Sequence, residues 1–203
     1  MPTSQDSVLP PYPGIRLSDV HLVQSAADAA NALTALLDRD AIGFDTESRP
    51  TFAKGEVSTG PHLVQLATDE KAYLFPITTQ PALNELRTIL ESPQVLKVGF
   101  GLRDDLRRLQ SKLAIDALPV LDLAIALRQE RRCDMGAKAA VAHFFGQHLQ
   151  KSKRTSTTNW SNRVLNEKQI LYAANDAHVA LRIYRSWQLT QPSDHGSSGP
   201  QRM

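Results

Sequence analysis

Cysteine is nearly absent from this chain: Cys133 stands alone in 203 residues. A single thiol excludes an internal disulfide framework and a cysteine-built zinc cluster, and reads as a small buried or half-buried side chain. No apolar run approaches the length of a membrane span. Residues 1–14 have neither the basic start nor the apolar core of a secretory signal. The cytoplasm is therefore the expected location. A phosphate-cradling glycine loop is also missing. Gly99-Phe100-Gly101 follows an apolar stretch but lacks the third glycine and the downstream Lys-Ser/Thr. There is no Gly-x-Ser-x-Gly elbow. His62, His143 and His178 show no metal-ligand spacing and read as structural.

What is present is ordinary in amount and uneven in placement. The 41% hydrophobic content suits one soluble domain with a real core. The net charge of +2 hides an asymmetry. Residues 1–60 hold eight acids against four bases, and residues 97–163 hold thirteen bases against six acids. A basic stretch of that kind hints at a polyanionic partner, although solvated basic faces are common.

The chain is organised around Ala41-Ile42-Gly43-Phe44-Asp45-Thr46-Glu47, an apolar strand that ends on two carboxylates. Residues i and i+2 of a strand share a face, which sets Asp45 beside Glu47. Two like charges that close are costly unless a cation lies between them, and a hard divalent ion prefers oxygen ligands. Spacing alone is weak support. With 21 acids in 203 residues, about two acid-x-acid triplets arise by chance. Asp38-Arg39-Asp40 is such a case, read as solvated charges at the end of a helix.

Before this strand, residues 1–14 read as a flexible arm, His21–Gln24 as a candidate short strand, and residues 25–39 as a helix capped by Ser25. After it, residues 48–60 are a polar loop. His62–Ala67 and Ala72–Phe75 form a hairpin across Thr68–Lys71, which completes a three-stranded antiparallel meander. Helix (81–91), strand (95–100), helix (102–113) and strand (119–123) then alternate, which implies parallel pairing. Helices follow over 124–132 and 136–146. Residues 147–163 form a basic connection, and a long helix capped by Asn166 covers 167–189. Residues 191–203 read as a disordered tail. The expected fold is α/β: a mixed five-stranded sheet flanked by helices, in one domain over residues 15–190.

Two further acids sit where a fold gains nothing from them. In Leu102–Leu113 the apolar stripe is Leu102, Leu106, Leu109 and Leu113. At about 100° per residue Asp105 falls inside it, and Asp104 lies opposite with Arg107 and Arg108; the alternative for Asp105 is a buried acid paired with an arginine. On the last helix Tyr172, Asp176, Val179, Ala180, Ile183 and Trp187 share a face on which Asp176 is the only charge. A carboxylate there costs several kcal/mol unless it is paired or metal-bound. Asp122 reads instead as a cap for the helix that starts near residue 124.

These residues resemble a known family. Phe44-Asp45-Thr46-Glu47, the stretch Lys97 to Asp105, Asn159-Trp160-Ser161-Asn162-Arg163 and Leu171 to Ala177 are similar to the ordered motifs of the DEDD superfamily of 3′→5′ exonucleases. Tyr172, four before Asp176, matches the tyrosine branch, which includes RNase D and the Werner syndrome protein's exonuclease domain. The sister branch carries His where Leu171 stands. The similarity covers roughly residues 20–189. It implies an RNase H-like fold, two Mg²⁺ or Mn²⁺ ions about 3.5–4 Å apart, and release of 5′-mononucleotides. By that resemblance Asp45 bridges both ions, Glu47 and Asp176 complete the water-activating one, Asp105 supports the second directly or through water, and Tyr172 orients the attacking water. No stretch resembles the helicase-associated domains of RNase D or the Werner helicase module.

The expected partner is a single-stranded or 3′-recessed nucleic acid, with no organic cofactor and no membrane. Lys151, Arg154 and Arg163, with Lys153, form an acid-free run that could track a backbone, and Trp160 is either core or a stacking platform. Both DNA and RNA fit this pattern, because no 2′-OH reader can be picked out. Two rival readings remain. One is an idle nucleic-acid-binding module of the same fold, whose signature would be a lost carboxylate. The other is a phosphohydrolase of free nucleotides, against which the basic run argues.

Overall fold

A computed structural model of the chain describes residues 9–51, 55–77, 82–131 and 135–191. Cys133, residues 1–8 of the expected arm and residues 192–203 of the expected tail lie outside these. A short 3-10 turn (Leu17–Asp19) leads into β1 (Val20–Leu22) and α1 (Ala26–Leu37). Ser25 and Asp28 close a capping box on α1, each side chain bonding the other's backbone N–H. Then come β2 (Ala41–Glu47), β3 (Leu63–Ala67), β4 (Ala72–Pro76), α2 (Leu83–Glu91), β5 (Leu96–Gly99), α3 (Arg103–Leu113) and β6 (Val120–Asp122). The chain closes with α4 (Leu123–Arg131), α5 (Ala137–Phe145), α6 (Lys153–Ser156) and α7 (Glu167–Thr190). No helix among the described residues is long and apolar enough to cross a membrane.

The sheet has six strands in the order β1-β4-β3-β2-β5-β6, one more than the expected five. The addition is β1, which pairs parallel with β4 at the edge. Three residues of strand are too few for alternation to declare itself, and pairing with an already formed hairpin supplies what propensity does not. The expected meander is present, with β3 antiparallel to both β2 and β4, and β2–β5–β6 run parallel.

Alternation along β2 sorts the two cores. Ile42 and Phe44 face a core shared with α1, α2 and α3, and Ala41 faces one shared with α4, α5 and α7. Helices thus cover both faces. Gly43 explains how closely α7 lies against the sheet, because a Cβ there would come within 1.9 Å of the Ala177 carbonyl oxygen. That contact brings Asp176, the residue before Ala177, to the end of β2 that carries Asp45.

Two expectations about irregular segments need correction. Residues 9–14 are tied down rather than loose. Tyr12 N–H donates to His148 O (2.9 Å), His148 N–H donates to Pro10 O (2.8 Å), and Ile15 N–H donates to Asn175 Oδ1 (2.8 Å). Gly14 makes the last bond reachable, since its φ of +67° suits glycine and a Cβ would strike the Asn175 side chain. The basic connection 147–163 also contains α6, which is started by Ser152 Oγ accepting from Thr155 N–H.

Lys97 is a buried cation in the middle of β5. Its Nζ donates to Ser92 O (2.9 Å) and Leu118 O (2.7 Å), which stitches the turns flanking β5 and β6. Burial pushes the ammonium down to about 8. A folded value below the unfolded one means the unfolded chain holds the extra proton, so stability should rise with pH from about 8 to about 10.4. The neutral amine keeps the two donors it uses. Lys97→Met, which strands both carbonyls, is expected to cost roughly 1–3 kcal/mol. Its deficit against wild type should widen between pH 7 and pH 10 in paired thermal melts, and a deficit that narrowed would contradict the assignment.

Candidate active site

The four acids come from three elements. Asp45 and Glu47 end β2, Asp105 sits in the first turn of α3, and Asp176 lies on α7. Asp45 and Glu47 both feel the charges of Asp176 and Asp105, so the four carboxylates form one electrostatic group. The turn before α3 is anchored by Asp122, whose carboxylate accepts from Gly101 N–H, Leu102 N–H and Ala124 N–H, each at 2.9 Å. Asp122 is thus the cap read from the sequence, and it also fixes the start of the helix that carries Asp105.

The helical-face reading separates the adjacent acids. The Asp104 side chain is 57% exposed and pairs with Arg107 at 3.1 Å, whereas that of Asp105 is 13% exposed. Arg108 departs from the expectation, because its Nη1 lies 3.8 Å from Asp105 rather than beside Asp104. Asp105 also accepts a hydrogen bond from the Thr46 hydroxyl. Thr46 N–H donates to Asp45 Oδ1 at 2.8 Å.

Asp176 is the most buried of the four, at 8% exposure. The sequence left a choice between a protein partner and a metal, and the structure supplies a partner: Lys151 Nζ stands 3.0 Å from Asp176 Oδ2. This corrects the placement of Lys151 on an outer backbone track. Its ammonium points into the acidic group and stands 5.7 Å from the centre of the Tyr172 ring. Tyr172, one turn before Asp176 on the same helix, also favours the charged form of that carboxylate.

Trp160 is corrected as well. It is 2% exposed, its indole N–H donates to Ser156 O (3.1 Å), and its ring lies 6.0 Å from that of Tyr172. It supports the tyrosine from the core and offers no open face for stacking. Arg154 and Arg163, in the same connection, are exposed. His62 holds the loop after β2, accepting from Arg49 N–H at Nδ1 (3.1 Å) and meeting Thr59 Oγ1 at Nε2 (3.2 Å).

Proton affinities follow from this crowding. Burial, then the charges of Asp176 and Asp105, hold the Asp45 carboxyl well above the usual range. Burial, then Asp45, push Glu47 up to about 9. Burial raises Asp105 against the opposing pull of Thr46 and Arg108, and raises Asp176 against Lys151 and Tyr172. Burial pushes the Lys151 ammonium down, but Asp176, Asp45 and Glu47 outweigh it and hold it above the ordinary value. Burial, then Asp176 and Glu47, push the Tyr172 phenol up, so it stays an O–H donor at neutral pH.

Whether these residues suit a cation can be judged from their chemistry. All four donors are hard oxygens, which suits magnesium or manganese. The Lys151 ammonium already stands where a cation is attracted. Gln65, opposite Asp45 in register and so on the same face, is fully buried, with neither amide atom hydrogen-bonded among the described residues. Against this, no three acid, His or Cys side chains among the described residues converge on a ready-made metal cage. Carboxylates this mutually repulsive would be drawn together by the ion itself, so a ready-made cage is not required. The residues fit.

Reasoning from sequence missed Thr46, Gln65 and the inward turn of Lys151, and it placed Arg108 on the Asp104 side of the helix. Gln65 carried a signal, being the one polar residue in the strand Leu63–Ala67. Lys151 carried none that distinguishes it from its basic neighbours.

The chain is similar to known exonucleases. A family model described as 3′-5′ exonuclease matches residues 20–190. The mouse bifunctional 3′-5′ exonuclease/ATP-dependent helicase WRN is 31% identical over 153 residues, which is 74% of this chain and 11% of that protein. The chain likewise spans 22% of a human exonuclease mut-7 homolog, so it matches a small part of these relatives. Among solved structures, the Aedes aegypti Nibbler EXO domain is 28% identical with a TM-score of 0.74, covering 87% of this chain and 91% of that one. Escherichia coli RNase D is 25% identical with a TM-score of 0.73, covering 84% and 44%.

Proposed function

The chain belongs to the 3′-5′ exonuclease family of the DEDD superfamily, and from that premise we propose that it hydrolyses nucleic acid from the 3′ end, releasing 5′-mononucleotides, as a member of the tyrosine branch. The observation that carries the reading is the meeting of Asp45, Glu47, Asp105 and Asp176 from three elements, with Tyr172 and Lys151 among them. A full set of carboxylates argues for an active enzyme over an idle binding module.

Two divalent cations, Mg²⁺ or Mn²⁺, held by the four carboxylates would supply a nucleophile at neutral pH and stabilise the charge that develops on the phosphate. The chain's own groups do the rest. Tyr172, kept protonated by its surroundings, offers its O–H to position the attacking water or the scissile phosphate; it is not a base. Lys151, paired with Asp176, keeps a positive charge inside the site that a substrate phosphate would meet. Trp160 and the Asn166-capped start of α7 hold Tyr172 in place. Arg154 and Arg163 offer outlying positive charge to a single-stranded or 3′-recessed substrate.

The test is a product ladder from 5′-labelled single-stranded RNA, single-stranded DNA and recessed duplex DNA, with magnesium or manganese. Stepwise shortening from the 3′ end that stops in EDTA is expected on at least one of these. Full activity in EDTA would rule out the metal reading, and turnover of free nucleotides in preference to oligomers would favour the phosphohydrolase.

A further inference from the structure

Thr46 lies between the two acids of β2, and alternation turns its side chain to the opposite face. It shares that face with Ile42 and Phe44, both fully buried, and its cross-strand partner is Val64. Valine would satisfy the same strand and the same apolar surroundings, so β-propensity and packing do not account for the hydroxyl. A hydroxyl buried to 8% exposure is costly without a partner. Its partner is the Asp105 carboxylate, to which it donates.

The same residue's N–H donates to Asp45 Oδ1 (2.8 Å). Thr46 therefore bonds one acid through its backbone and another, 59 positions away in the chain, through its side chain. Asp122 fixes the backbone of the turn that starts α3, but the Asp105 carboxylate can still rotate about its own side-chain bonds. Arg108, at 3.8 Å and partly exposed, is a looser second tether.

We propose that Thr46 is a positioning residue, whose hydroxyl sets the orientation in which the Asp105 carboxylate joins the acid pair of β2 to hold a divalent cation. The inference deepens the proposed exonuclease reading and rests on it. Ligand-orienting groups of this kind typically matter by about 10–100-fold in metal affinity or activity.

Thr46→Val keeps the shape and removes the donor, and Thr46→Ser keeps the donor and removes the methyl. Both are compared with wild type by Mn²⁺ titration of the substrate-free protein, followed by electron paramagnetic resonance, and by steady-state kinetics on a labelled oligonucleotide. Thr46→Val should weaken one Mn²⁺ and lower kcat, each by about 10–100-fold, with KM changed little. Thr46→Ser should restore most of both. If valine does not fold at this position, Thr46→Ala beside Thr46→Ser gives the same contrast.

Wild-type Mn²⁺ binding and kcat in Thr46→Val overturn the inference while leaving the exonuclease reading intact. Equal impairment of Thr46→Ser and Thr46→Val also overturns it, because the methyl would then be what matters. A wild-type protein that neither binds Mn²⁺ nor cleaves overturns both.

Discussion

Asp45→Asn is expected to slow release of 3′-terminal nucleotides by about a thousandfold or more, which corresponds to a loss of about 4 kcal/mol of transition-state stabilisation. Asp45 sits at the centre of the group: the charges of Asp176, Asp105 and Lys151 all act on it, and it in turn acts on Glu47. Asparagine keeps the shape and removes the charge that a divalent cation would meet. The structure also predicts that this loss is not a folding defect. The Asp45 carboxyl is held above its ordinary value, so in the metal-free protein it contributes stability that is present below the unfolded value near 3.9 and lost as pH rises through the raised one. At pH 8 in chelator the mutant should therefore melt no lower than wild type. Activity is read by single-turnover product ladders and folding by thermal melts at pH 8. Activity within tenfold of wild type, or a melt many degrees lower in chelator, would show that Asp45 is structural.

Asp105→Ala should lose activity by a hundredfold or more, on the order of what removal of one preorganised catalytic group costs. Asp104→Ala, the neighbouring change, should stay within a few-fold of wild type. The two residues share a helical turn, a charge and a helix end, so propensity and dipole effects nearly cancel between them. What differs is their surroundings. Asp104 is 57% exposed and pairs with Arg107, an exposed i,i+3 contact of little energetic consequence. Asp105 is 13% exposed and bonded to Thr46, beside the acids of β2. Side-by-side initial rates with saturating manganese decide the matter. A dead Asp104→Ala with an active Asp105→Ala would place the site one residue away and on the other side of α3.

The amino-acid order alone located the acids, because each carboxylate broke a pattern that otherwise specifies core. Asp45 and Glu47 ended an apolar strand, and Asp105 and Asp176 each interrupted a leucine- or alanine-bearing helical stripe. Such conflicts between local pattern and burial concentrate at functional sites. Helix limits came out within a residue or two because the caps are local: the Ser25 and Asn166 capping boxes involve residues three apart. The meander was equally legible, since the turn bond from Thr68 N–H to Lys71 O closes within four residues.

Only the tertiary structure decided which charges meet. Lys151 and Asp176 are 25 positions apart and Thr46 and Asp105 are 59 apart, so no period or spacing links them. Whether Lys151 turned outward with Arg154 or inward to Asp176 depended on how the 147–163 connection folds over α7, and that follows from packing rather than composition. Trp160 went to the core for the same reason, because the ring of Tyr172 was there to pack against. The edge strand β1 and the anchored segment 9–14 likewise owe their order to distant partners, β4 in one case and His148 with Asn175 in the other. The sequence by itself determined the four acids and the elements that carry them, because alternation, helical periodicity and capping act over a few residues. The partner of each buried charge was decided by long-range contact, because a charge withdrawn from water must find its compensation wherever the fold has placed an opposite one.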